Sequence, residues 1–111
     1  MTPRVTAEFW VMAHIRVCAA NNVSAMVVRR GDRDAGNVLI KLNLLDGRAS
    51  VLEPAMGLDG ARIWMRVTGA DPVDDAAAEA AIARSIKRDS DVWVLEIEDK
   101  AGRHFLSEPV V

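Results

Sequence analysis

The spacing of apolar residues along the chain predicts a long first helix. From Val5 to Ala20 there is no Gly or Pro, and apolar residues recur at helical intervals. They fall on opposite sides of the helix, so no broad polar face remains, and both sides of the helix must be covered by other parts of the structure. A sheet can cover one side. We therefore predict that the part around Trp10, Met12 or Val17 is buried in a dimer.

Strands are predicted where apolar and polar residues alternate or where β-branched residues cluster between turns. Gly, Asp and Asn separate these segments, as in the turn-forming run from Gly31 to Gly36 and the hairpin turn Leu45-Asp46-Gly47. The predicted strands are Ser24 to Arg30, Val38 to Asn43, Arg48 to Glu53, Arg62 to Val67, Asp91 to Glu98 and Arg103 to Leu106.

A second, alanine-rich helix is predicted between the fourth and fifth strands. Asp71 or Asp74 can cap its start, and Lys87 and Arg88 suit the negative end of its dipole. A strand-helix-strand sequence usually forms a parallel crossover. The pattern predicts one α+β domain over residues 1–111, in the order α-β-β-β-β-α-β-β. Its mixed, mostly antiparallel sheet carries both helices on one face.

The fifth strand carries the clearest core signal. Trp93, Leu95 and Ile97 share one side of the strand, so we predict that they face the packed layer. The connection from the second helix is short, and Ile82 or Ile86 is expected to cover Trp93.

The composition leaves the predicted fold unchanged but argues against several classes of protein. Half of the 111 residues are hydrophobic, which argues against intrinsic disorder. Fourteen basic and sixteen acidic residues give a net charge of −2, which removes the global argument for nucleic-acid or anionic-membrane binding. Cys18 is the single cysteine and cannot form an internal disulfide. With no visible targeting segment, we predict a cytoplasmic protein.

Several segments together resemble a family of short bacterial proteins known only as a domain of unknown function. The resemblance covers nearly the whole chain and implies a free-standing bacterial protein, but no activity, substrate or cofactor. The segments that carry it are Arg29-Arg30-Gly31-Asp32, Asp34-Ala35-Gly36, Leu39-Ile40-Lys41-Leu42-Asn43, Trp64-Met65-Arg66, Trp93-Val94-Leu95-Glu96-Ile97-Glu98-Asp99 and Gly102-Arg103-His104-Phe105-Leu106.

The first candidate site is the loop around Arg33. Its glycines could form a backbone nest that binds an anion, helped by Arg29 and Arg30. Alternatively, Asp32 and Asp34 could hold a divalent cation, although an EF-hand loop would need more acids. A solvated turn with Arg-Asp pairs explains the same residues and is favoured.

The second candidate is the row Arg62, Trp64 and Arg66. On one exposed strand face, two guanidinium groups around an indole could stack a base, grip a phosphate or bind a protein. The alternative is that the arginine stems simply cover the ring.

A weaker candidate is an acid-base cluster of Glu96 and His104 near the last turn, to which Asp32 and Asp34 could contribute. Cross-strand charge pairing explains this cluster without catalysis. His14 and Cys18 lie four residues apart on the first helix, but too few further ligands exist for a metal site. We predict no metal and no cofactor.

The sequence leaves the function unknown and favours a small non-catalytic cytoplasmic protein that acts through protein-protein interaction or self-association. The first alternative is a binder of a phosphate ligand or nucleic acid that uses an arginine-bearing surface, which the charge balance disfavours. The second is a metal-dependent hydrolase. We expect a homo-oligomer or a protein partner and no membrane partner.

Overall fold

A computed structural model describes residues 5–111, which form two helices and one six-stranded mixed sheet. The predicted α+β class and the predicted order are confirmed through the strand after the second helix, with one additional short strand before that helix. The elements in chain order are α1 Ala7–Ala20, β1 Ser24–Arg29, β2 Val38–Asn43, β3 Arg48–Met56, β4 Arg62–Arg66, β5 Val73–Asp74, α2 Asp75–Arg88 and β6 Trp93–Glu98.

The sheet has the strand order β1-β6-β2-β3-β4, and β5 pairs with the start of β3. Strands β2 and β6 are parallel, whereas the other pairs are antiparallel. After β4 the chain passes through α2 and returns as β6, which is inserted between β1 and β2. This is the parallel crossover that the sequence pattern indicates.

The two helices cover opposite faces of the sheet, so the predicted placement of both on one face is corrected. The core under α1 contains Ile40 and Leu95, whereas the core under α2 contains Leu39 and Val94. These neighbouring residues point to opposite sides because successive side chains in a strand alternate. The central strands are apolar on both faces and therefore require a helix on each, as in buried parallel strands.

Trp93 lies in the core, with 1% of its surface exposed, together with Leu95 and Ile97. The residues expected to cover it do not: Ile82 packs on the other face, and the layer over Trp93 comes from α1.

The predicted last strand, Arg103 to Leu106, is wrong. Both edges of β6 are already paired, with β1 and β2, so a returning strand has no free edge beside it. The C-terminal segment, residues 103–111, instead crosses to β4. There the Trp64 backbone N–H donates to the Pro109 carbonyl at 2.8 Å, and Val111 N–H donates to the Trp64 carbonyl at 2.8 Å.

Helix α1 begins after Thr6, whose hydroxyl accepts a hydrogen bond from the Phe9 backbone N–H at 3.1 Å. One side of the helix is buried against the sheet, including Val11 and Cys18. The opposite side is exposed, because α2 lies across the sheet and no other described element covers it. No helix within residues 5–111 has the length and apolarity needed to cross a bilayer.

Candidate functional site

In the glycine loop, residues 30–37, backbone N–H groups bind a carboxylate that belongs to the loop itself. The Asp32 carboxylate accepts hydrogen bonds from the backbone N–H groups of Asp34 at 3.2 Å and Ala35 at 2.9 Å. The Gly36 N–H donates to the Asp32 carbonyl at 3.3 Å. These are donors that an anion-binding nest would use, so the geometry is that of an internally satisfied turn.

The same loop completes the start of α1. The Ala7 N–H donates to the Asp34 carbonyl at 3.1 Å, and the Glu8 N–H donates to the Arg33 carbonyl at 3.0 Å. With Phe9 bonded to Thr6, the first N–H groups of the helix are occupied. The loop therefore caps the start of α1, a structural role that the turn-forming residues of the sequence do not indicate.

Close packing against the start of β6 explains the two loop glycines. A Cβ atom on Gly31 would lie 2.1 Å from the Asp91 carbonyl oxygen, and one on Gly36 would lie 2.4 Å from the same oxygen. Both distances are far below van der Waals contact. Glycine is required at these positions for close approach.

The three arginines of the first candidate site make internal contacts. Arg29 donates to the carbonyls of Ser90 at 3.0 Å and Val92 at 2.6 Å. Arg30 pairs with Glu8, and its guanidinium lies 5.0 Å from the centre of a Trp93 ring. Arg33 Nε lies 3.5 Å from the Glu8 carboxylate. These side chains hold the loop, β6 and α1 together.

The sequence predicts that Arg62, Trp64 and Arg66 form an exposed binding surface, and this prediction is wrong for the central residue of the row. Trp64 is 6% exposed, packs in the core under α1 with its ring 5.8 Å from that of Trp10, and donates from Nε1 to Glu108 at 3.1 Å. The other side of β4 is more open, and Met65 is exposed there because α2 packs over β2 and β3.

The arginine-bearing segments do not converge. Strand β1, which ends at Arg29, and strand β4, which carries Arg62 and Arg66, are at opposite edges of the sheet. Arg62 is exposed and Arg66 is half-buried, and the positive charge of Arg66 contributes to lowering the pKa of His104.

The predicted acid-base cluster is also divided. Glu96 lies on the α2 side, where its carboxylate accepts from Asn43 Nδ2 at 3.0 Å. His104 lies in the C-terminal segment beside α1, and the Asp32 and Asp34 carboxylates are in the glycine loop. Within residues 5–111, no group of three His, Cys, Asp or Glu side chains is arranged to hold a metal ion.

The buried side chain of Lys41 is the centre of a charge cluster that the sequence analysis does not single out. The side chain is 4% exposed, and its Nζ lies 2.7 Å from Asp75, 2.8 Å from Glu79 and 3.7 Å from Glu96. Burial lowers the Lys41 pKa, but hydrogen bonds to Asp75 and Glu79 and the charge of Glu96 outweigh it and raise the pKa. The cluster fixes the start of α2 over the sheet.

Two histidines join α1 to the C-terminal segment. His14 Nε2 donates to the His104 carbonyl at 2.7 Å, and His104 Nδ1 accepts from the Leu106 backbone N–H at 3.0 Å. Burial lowers the pKa of both rings. For His14 the hydrogen bond to His104 and the Glu108 charge oppose this shift, whereas for His104 the charges of Arg66 and His14 add to it.

A shallow cleft of about 290 Å³ lies next to these histidines, between α1 and residues 105–108 of the C-terminal segment. Its wall on the helix side includes Ala13 and Val17, and Trp10 stacks on His14 with ring centroids 4.8 Å apart. The His14 Nε2 proton is already used by a backbone carbonyl. The two histidines therefore hold the C-terminal segment against α1.

Comparison with known proteins identifies the family. A family profile described as "Protein of unknown function (DUF1491)" matches residues 5–107. The chain belongs to the DUF1491 family.

Solved DUF1491 structures share this fold. A crystal structure of a DUF1491 family protein from Caulobacter crescentus CB15 is 38% identical, with a TM-score of 0.85, and the match covers 97% of this chain and 100% of that one. An NMR structure of a DUF1491 family protein from the same organism is 37% identical over 99% of both chains, with a TM-score of 0.83.

A further solution structure, of protein Atu0922 from A. tumefaciens, is 27% identical, covers 96% of this chain and 97% of that one, and has a TM-score of 0.75. A search of the curated proteins found no match. The DUF1491 family has no assigned activity, and nothing in these comparisons indicates catalysis.

The outer face of α1 in this DUF1491 chain faces solvent, and no element within residues 5–111 covers it. It presents three large exposed side chains within about 60° around the helix axis, two of them apolar. They are Phe9, Met12 and Arg16. Val5, just before the helix, and Val17, on the side that borders the C-terminal segment, are also exposed. The absence of a polar face, visible in the sequence, is the signal that points to this surface.

Proposed function

We propose that this protein is a non-catalytic interaction protein that acts by self-association through the outer face of α1. The observation that carries the proposal is the exposure of a large aromatic side chain in the middle of that face: Phe9 is 65% exposed. Single exposed apolar residues are ordinary, but a contiguous apolar helix face is typical of an interface.

The internal structure of the protein supports this assignment. The buried side of α1 and both faces of the central strands are already covered, so the outer face of α1 is not required for the core of the monomer. Association would remove Phe9 and Met12 from water, which is favourable by about 25 cal/mol per Å² of apolar surface. A face one helix long predicts a weak, concentration-dependent dimer.

We also propose a cytoplasmic location. Cys18 is buried, and burial raises the pKa of its thiol. A lone buried thiol has the character of a small apolar core residue and suits a reducing compartment.

The alternatives draw less support from the geometry. A phosphate or nucleic-acid binder needs arginines that are free to bind, whereas Arg29, Arg30 and Arg33 contact groups of the protein itself. Trp64, the proposed stacking residue, is buried. A metal-dependent hydrolase built on the predicted acids and His104 would have to bring together the glycine loop, the α2 side of β6 and the C-terminal segment, which lie in separate parts of the fold.

Sedimentation equilibrium over a range of micromolar concentrations tests the proposal. We expect the mass of the native chain to rise from 12.1 kDa towards twice that value as concentration increases. The double variant Phe9→Ser, Met12→Ser should remain a monomer. The control Met56→Ser, Leu58→Ser changes two exposed apolar residues elsewhere and should associate like the native chain.

A native chain that stays monomeric at the highest concentration would overturn the proposal, as would equal association of both double variants. Circular dichroism checks that each variant is folded. Retention on immobilised nucleic acid that weakens steeply with salt would support the nucleic-acid alternative instead.

A further inference from the structure

We infer that two copies pair through antiparallel α1 helices, with Arg16 of each copy bound beside Asp34 of the other. This inference rests on the proposed self-association and adds its orientation and its polar contact. It starts from the placement of one charged residue inside an otherwise apolar face.

Arg16 lies in the middle of the outer face. At about 100° per residue, Phe9, Met12 and Arg16 fall within about 60° of one another around the helix axis. The fully buried Val11 and Cys18 lie on the opposite side. Arg16 is exposed, and the structure gives it no ion pair with any residue from 5 to 111. A carboxylate partner stabilises an arginine that becomes buried in an apolar interface, because an unpaired charge is costly to desolvate.

A depression of about 410 Å³ at the start of α1 has the right lining for that arginine. Phe9 and Met12 provide apolar walls for its methylene stem, and Glu8 and Asp34 provide carboxylates. Thr6 and Arg33 complete the lining.

Asp34 is the carboxylate available to a second copy. Glu8 already pairs with Arg30 and with Arg33, the cation inside the depression. Asp34 is exposed, and its contacts in the described chain are made by its backbone N–H and carbonyl groups.

Symmetry selects the antiparallel orientation. A two-fold axis crossing α1 between Met12 and Ala13 places Arg16 of one copy opposite Phe9 of the other, next to the depression, and repeats the contact on the other side. Arg16 lies only about 5 Å along the helix from such an axis, at 1.5 Å per residue. A parallel pairing would put the two Arg16 side chains together and oppose like charges.

Charge reversal tests the pairing directly. Arg16→Asp alone and Asp34→Arg alone should each weaken self-association at least about tenfold, because each puts like charges together in both contacts. In an equimolar mixture, a heterodimer of the two variants regains two opposite-charge contacts. We expect its dissociation constant to return to within about threefold of the native value.

The controls are Arg84→Asp and Asp71→Arg, which reverse exposed charges away from α1 and should leave association unchanged. Sedimentation velocity measures all chains and the mixture, and circular dichroism confirms folding. If Phe9→Ser, Met12→Ser abolishes the dimer but both charge variants still associate like the native chain, the pairing is wrong and self-association stands. The pairing is also overturned if the mixture stays as weak as its components. A monomeric native chain overturns both proposals.

Discussion

The indole of Trp93 donates its Nε1–H to the backbone carbonyl of Asp32 at 2.7 Å. This bond joins the first residue of β6 to the glycine loop, while the Asp32 backbone N–H donates back to the Asp91 carbonyl at 2.8 Å. A core side chain, a loop and the start of α1 are therefore one connected unit. The loop residues that the sequence suggested as a binding site stabilise the fold.

Replacing Gly31 by Ala should destabilise the protein by about 3 kcal/mol, the upper part of the range for overpacking. The added Cβ would meet the Asp91 carbonyl oxygen at 2.1 Å and the Trp93 ring at 2.7 Å. The matched control is Gly60→Ala, where nothing lies within 4 Å but φ is +80°. It should cost about 1 kcal/mol through backbone strain alone. Urea unfolding measures both, and equal losses would contradict the close-packing argument.

Trp64→Ala and Trp93→Ala should have similar costs, each about 3–5 kcal/mol, because both indoles are buried and hydrogen-bonded. The exposed row predicted from the sequence would make the Trp64 change much cheaper. Met56→Ala, at an exposed position, serves as the control and should change the free energy of unfolding by less than about 0.5 kcal/mol. A Trp64→Ala cost below about 1 kcal/mol would restore the exposed-row interpretation.

The local sequence pattern of β4 does not determine which side of the strand is buried, as Trp64 shows. The alternation of β4 is real, but Trp64 and its neighbours Ile63 and Met65 are all apolar, so either side of the strand could face the core. The choice depends on which face is covered there, by α1 and the C-terminal segment on one side or α2 on the other. That is a long-range relationship, which a local pattern does not contain.

The helices and the first strands were predictable because their periodicity is local. The last strand was not, because its formation depends on whether β6 still has a free edge. The charge cluster around Lys41 was not predictable for the same reason, because it depends on contacts between distant parts of the chain. Lys41 interrupts the apolar run of β2, yet its partners Asp75 and Glu79 come from a helix that starts more than thirty residues later.

Replacing Lys41 by Met should destabilise the protein by about 3 kcal/mol, because it leaves three carboxylates close together without their cation. Asp75 and Glu79 are half exposed, so solvent limits the repulsion. Adding Glu96→Gln should recover part of the loss. Lys100→Met, at an exposed position, should have little effect. Thermal and urea unfolding provide the measurement, and a stable Lys41→Met variant would show that the cluster is dispensable.

The Lys41 cluster also predicts a loss of stability in alkali. Its pKa in the folded protein is raised, so its contribution is fully present below the unfolded lysine value of about 10.4 and is lost as pH rises above it. Urea unfolding from about pH 9 to pH 11 should show a steeper decline for the native chain than for Lys41→Met. Parallel profiles would contradict the pairing.

The two histidines should make the protein less stable in mild acid. Burial lowers the pKa of His14 and His104 below the ordinary value of about 6.5, so the unfolded chain binds more protons as pH falls. The stabilising contribution is present above that value and is lost as pH falls through the lower folded pKa. Protonating His104 would also remove the Nδ1 acceptor of the Leu106 N–H and add charge beside Arg66. The free energy of unfolding should therefore decrease between about pH 7.5 and pH 5.

The double variant His14→Gln, His104→Gln is the control. Its free energy of unfolding should fall less steeply with pH, because only the titration of the carboxylates, which both chains share, remains. A native profile no steeper than that of the double variant would contradict the prediction.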